Sequence, residues 1–130
     1  PYDISSLESN IEVSDDILQI TEEIISTIRE KMEITLDEKN SDIIDEFVYH
    51  NYFLTNRLRY GLPIHNQIND DIKEKYTVAY HMALIAKNVM EKRMSLKVPE
   101  DEVGYLTAYF QIKLLLSIFS LSYCLPSFST

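Results

Sequence analysis

Apolar residues recur at Ile17, Ile20, Ile24, Ile28 and Met32, at spacings of 3, 4, 4 and 4. That ladder lines one face of an α-helix and has no place on a strand. Ser14 precedes it as an N-cap, and Asp15 and Asp16 fall in the first turn, where the helix dipole favours acids. A core-facing helix over about 15–34 is predicted. Ser41 then caps a helix over about 42–60, whose apolar side is Ile43, Ile44, Phe47, Val48, Phe53, Leu54 and Leu58. Gly61 ends it and Pro63 prevents continuation. A shorter helix, capped by Asn66 or Asn69, carries Ile68, Ile72 and Tyr76. A fourth carries Val78, Met82, Ile85, Val89 and Met90 to about Met94, and Tyr76 to Val78 reads equally as a break or a bend. Ser95 to Val98 form a loop. Pro99 takes the favoured first-turn position of the last helix, with Glu100, Asp101 and Glu102 beside it. That helix is predicted to run to about Ser120.

No segment keeps a period-two alternation, and two glycines and four prolines are few for a turn-rich β fold. The expected fold is therefore all-α, a five-helix bundle of antiparallel helix pairs with short connections. Residues 1–12 read as a linker or leading segment, 13–120 as the helical domain and 121–130 as a C-terminal tail. The chain of 130 residues is long enough for one core.

A net charge of −9 argues against a nucleic-acid-binding surface, which needs clustered Lys and Arg. Cys124 is the single cysteine, so no internal disulfide can form, which suits a reducing cytoplasm. Pro1 opens no signal-peptide pattern, and without an initiator methionine the sequence reads as a piece of a longer protein. The uncharged stretch from Leu114 to Thr130 is interrupted by serines and by Pro126. Its apolar runs fall short of the roughly 20 residues that a membrane span needs.

His50, His65 and His81 are 15 and 16 residues apart, match no compact metal motif and have no cysteine near them. No metal or cofactor is expected. No hydrolase elbow, metalloprotease motif or phosphate-binding glycine loop locates an enzyme site. His65 falls in a loop, and His81 within the fourth helix as a packing or surface residue. Glu46, His50, Phe53 and Arg57 share one helical side, at offsets of 4, 3 and 4. That sets His50 at the border of the apolar face. A half-exposed neutral imidazole is a nucleophile for a phosphoryl group, and a nearby guanidinium favours the anion formed. The plainer alternative is a boundary histidine bonded to backbone or a carboxylate. Glu102 and Tyr109 are also seven residues apart and share a face. If the second and fifth helices lie side by side, the two pairs form one patch. Gly104, within the last helix, costs about 1 kcal/mol against alanine. A close approach of a neighbouring backbone would offset it.

The segments "EFVYHNYFLTNRLRYGLPIHNQI" and "IKEKYTVAYHMALIAKNVMEKRMSLKVPEDEVGYLTAYF" together resemble the PTS regulation domain, or PRD, over about residues 15–115. The resemblance implies an all-α five-helix regulatory module of bacterial transcriptional antiterminators and activators. Such modules are phosphorylated on histidine by proteins of the sugar phosphotransferase system. The donor would be the histidine-carrier protein or a sugar-specific enzyme II component, and the protein would be cytoplasmic and homodimeric. Nucleic acid would be bound only by a separate domain. Carried across, the first family histidine falls on His50 as phosphoacceptor and the family arginine on Arg57. The acids fall on Asp101 and Glu102, and the glycine on Gly104; Gly61 is a second structural glycine. The second family histidine is replaced by Tyr109, which cannot take over phosphohistidine chemistry. The expectation is a one-histidine sensor. The alternatives are an unphosphorylated PRD-like dimerisation or packing module, or an unrelated helical enzyme or adaptor. The apolar run from Leu114 to Phe119 adds to the expectation of a dimer.

Overall fold

In the computed structural model the described residues are 14–33, 41–65 and 70–124, with side chains described for 14–33, 45–65 and 70–115. They form five helices: α1 (Asp15–Met32), α2 (Ser41–Tyr60), α3 (Asp70–Lys75), α4 (Thr77–Met94) and α5 (Glu100–Cys124). The described residues contain no strand. The chain is thus all-α, as the spacing predicts. It divides into two compact units, one ending at Leu62 and the other beginning at Pro63.

In the first unit α1 packs against α2. Ser14 is extended, and its hydroxyl accepts from the Ile17 N–H at 3.4 Å. Ile17, Ile20, Ile24 and Ile28 are buried, joined by Ile25 and Thr21. Glu33 ends α1 in the left-handed region (φ 54°), and its N–H donates to the Arg29 carbonyl at 3.0 Å. The helix therefore stops two residues before the predicted end, at a residue type that does not advertise a left-handed stop. On α2, Phe47, Val48 and Leu54 are buried, together with Asn51 and Thr55. The Asn51 side-chain amide donates to the Thr21 hydroxyl at 2.8 Å, and Thr21 donates to the Ile17 carbonyl at 2.9 Å. This polar chain crosses the α1–α2 core. A buried amide without such a partner would destabilise the pair by about 1–3 kcal/mol. Phe53, predicted on the apolar side, is exposed instead. Gly61 ends α2 at φ 63°, and the Leu62 N–H reaches back to the Arg57 carbonyl at 2.9 Å. This bond pattern is the glycine-capped helix end that the sequence announces.

In the second unit α4 packs against both α3 and α5. Tyr76 is a turn between α3 and α4, which resolves the break-or-bend alternative as a break. The Thr77 hydroxyl donates to the Glu74 carbonyl at 2.6 Å and supports that corner. α4 buries Ala79, Met82, Ala83, Ala86, Val89 and Met90, while Val78 faces solvent. α5 buries Val103, Leu106 and Phe110. Ser95 closes α4 at φ 53°, and the Glu91 carboxylate accepts from the Val98 N–H at 2.9 Å. The Pro99 carbonyl accepts from Glu102 and Val103, starting α5. Lys73 lies 3.6 Å from Glu100 and joins α3 to that start.

α5 continues to Cys124 rather than stopping near Ser120. Nothing between those residues breaks a helix, whereas Pro126 disfavours helical backbone just before it. The expected caps at Asn66 and Asn69 lie outside the described residues, as do the side chains of Ser41, Ile43 and Ile44 and those beyond Leu115.

Candidate functional site

His50 stands on the outer border of α2, with its side chain 33% exposed. The neighbouring residue Asn51 turns the other way and is fully buried. With Phe47, Val48, Leu54 and Asn51 turned into the core, the opposite border of α2 carries His50. One turn earlier, Glu46 places Oε1 3.6 Å from His50 Nε2, and the glutamate side chain is 48% exposed. At that distance the pair is electrostatic rather than a tight hydrogen bond. A carboxylate there stabilises positive charge on the ring, including the charge that develops when a ring nitrogen attacks phosphorus. It also repels the phosphoryl group once that group is attached. Arg57 lies two turns beyond His50, about 10 Å along the axis, and is half-buried.

Asp101, Glu102, Gly104 and Tyr109 belong to α5 in the second unit. Glu102, Gly104 and Tyr109 are buried and Asp101 is half-buried. Tyr109 is only 8% exposed. Its ring meets Phe110 edge-on at 5.7 Å, and the Lys113 ammonium sits 5.4 Å from its centroid. Lys113 was not among the candidate residues, although the i, i+4 spacing from Tyr109 was available as a signal. Tyr60 was likewise missed. It follows His50 by ten residues on the same side of α2 and is widely exposed.

His65 is exposed in the connection after α2. His81 is exposed on α4, with its ring 6.2 Å from that of Tyr80. Among the described residues neither belongs to a metal-ligating cluster. Among the described residues no group of His, Cys, Asp or Glu could hold a metal ion, and no helix is long and apolar enough to cross a membrane.

The family model described as "PRD domain" matches residues 22–113, and the chain belongs to that family. It is 32% identical over 73 residues to the transcriptional regulator ManR of Bacillus subtilis (strain 168), covering 56% of this chain and 11% of that protein. It is 24% identical over 113 residues to a beta-glucoside operon antiterminator of Dickeya chrysanthemi, covering 83% of this chain and 40% of that protein. It is 35% identical over 54 residues to a probable licABCH operon regulator of Bacillus subtilis (strain 168), covering 42% and 8%. The chain thus spans from 8% to 40% of the length of these relatives. No solved structure matches it.

Proposed function

We propose that this chain is the sensor domain of a bacterial transcriptional regulator, controlled by phosphorylation of His50 from the sugar phosphotransferase system. The observation that carries the reading is the half-exposed imidazole of His50 beside Glu46, inside the span matched to the PRD family. The domain is taken as 13–120, in a cytoplasmic, homodimeric protein. Its partner is the histidine-carrier protein or a sugar-specific enzyme II component. Nucleic acid is bound by a separate module outside this sequence, in keeping with the net charge of −9.

The neutral ring attacks the donor's phosphorus and acquires a group with up to two negative charges. The pair with Glu46 then turns from attractive to repulsive across one helical turn. Arg57 is the nearer cation on that side of α2 and is proposed to receive the new anion. In the second unit, Asp101, Glu102, Gly104 and Tyr109 are proposed to hold the local packing of α5.

The test is intact-mass spectrometry after incubation with phosphoenolpyruvate, the first enzyme of the system and its histidine carrier. One acid-labile phosphoryl group that is absent from His50→Ala is the expected result. No transfer from either carrier or enzyme II donor would sink the reading.

A second reading is supported by the burial of Tyr109 under Lys113. In it the domain is an unphosphorylated packing module. Identical reporter output from wild type and His50→Asp would favour it.

A further inference from the structure

Along α2 the residues Glu46, His50, Phe53, Arg57 and Tyr60 follow one another at offsets of 4, 3, 4 and 3. They share one side of the helix. Phe53 is 41% exposed, with its ring edge-on to that of Tyr52 at 5.3 Å, and Tyr60 is 75% exposed, so two aromatic rings reach solvent in the register of His50. A single exposed ring needs no explanation. Two rings aligned with a nucleophilic histidine invite one.

We propose that Phe53 and Tyr60 form the docking surface for the protein that donates phosphate to His50, a partner that itself carries phosphohistidine. The proposal rests on His50 being the acceptor. In the transfer, a lone pair of the His50 ring forms a bond to phosphorus as the donor's nitrogen–phosphorus bond breaks. The donor ring leaves with that electron pair and takes up a proton, while the His50 ring sheds the proton from its other nitrogen. No oxidant or other co-reactant is needed.

The geometry of that step places the partner. Phosphorus must come within bonding distance of His50, so the donor's surface lies over this side of α2. A protein interface of ordinary size covers about 800 Å² on each partner, a patch with a radius of roughly 16 Å. Phe53 lies about 4.5 Å and Tyr60 about 15 Å from His50 along the helix axis. The first falls at the centre of such a patch and the second at its edge. Aromatic side chains and arginine carry much of the affinity in interfaces, most of all near the centre. The chain's net charge of −9 steers a basic partner toward it at long range, and the side of α2 itself carries both Glu46 and Arg57.

The experiment compares two phosphoryl donors on the full chain. One is the phosphorylated histidine carrier. The other is phosphoramidate, a small molecule that needs no docking surface. Phe53→Ala is expected to lower the carrier's transfer rate about tenfold and Tyr60→Ala about threefold. Val78→Ala, an exposed apolar residue in the other unit, should leave it unchanged. With phosphoramidate, labelling of His50, resolved by peptide mapping from that of the exposed His65 and His81, should match wild type in all three, which also shows that His50 remains intact and presented. If both aromatic variants take phosphate from the carrier at the wild-type rate while His50→Ala takes none, the docking surface is overturned and the acceptor assignment survives. If His50→Ala is still labelled by the carrier, both are overturned.

Discussion

His50 on α2 and Tyr109 on α5 occupy the two positions where the PRD resemblance expects a histidine, and their surroundings are opposite. His50 is partly open to solvent and faces a carboxylate. Tyr109 is almost wholly buried, packed on Phe110 and covered by the Lys113 ammonium. An open, anionic setting suits a group that changes charge. A buried ring under a cation suits one that does not. Tyr109 is part of the packing of α5, so exchanging its side chain alone would not reproduce the setting of His50.

The sharpest test of that contrast is chemical. Tyr109→Phe should leave phosphoryl labelling at the wild-type level, whereas His50→Ala should abolish it, as read by intact mass. Tyr109→His tests whether the setting or the residue type matters. Labelling at the new imidazole is expected at less than about a tenth of the His50 rate, since burial denies the donor access. Rapid double labelling would break the comparison.

Stability effects come next. Asn51→Ala removes a fully buried donor, together with an amide oxygen that is buried without a hydrogen-bond partner, and leaves a space in the α1–α2 core. It should lower unfolding free energy by about 1–2 kcal/mol in urea titration. A double-mutant cycle with Thr21→Val should recover part of that loss as coupling. A loss below about 0.5 kcal/mol would show that the Asn51–Thr21 bond adds little to the α1–α2 core. Gly61→Ala should cost about 1 kcal/mol. The added Cβ would meet nothing within 4 Å, so the effect isolates backbone strain at φ 63°. Lys113→Met, the smallest change, should cost about 0.5–1 kcal/mol if the cation over Tyr109 contributes.

The helices were legible where spacing carries the information. The isoleucine ladder of α1, the Ser14 cap and the Gly61 stop each have one physical meaning, and each is found. The end of α1 and the corner at Tyr76 were not legible, because Glu33 and Tyr76 are not residues that usually break helices. Burial of Asn51 and Thr55 was hidden for another reason. A polar residue on a helix reads as solvent-facing until a partner from another helix is known, and Thr21 lies thirty residues away from Asn51. Phe53 erred in the opposite sense, since apolar character alone does not place a ring inside. At the candidate site, His50 and Glu46 were readable as one helical side. The cation over Tyr109 could have been read from spacing, but only with a reason to ask what shields a ring there.

The turn between α4 and α5 has a consequence for protease sensitivity. Lys97 is exposed there and presents an apparent trypsin target. The bond that follows it leads into Val98, whose side chain is buried and whose N–H is held by the Glu91 carboxylate. A protease must draw several residues into an extended strand before cutting. Here the residue just after the scissile bond is anchored on two sides, so an accessible lysine is joined to an inaccessible peptide bond. Digestion at Lys97 will therefore report the opening of this turn, and Glu91→Ala will make that opening visible first.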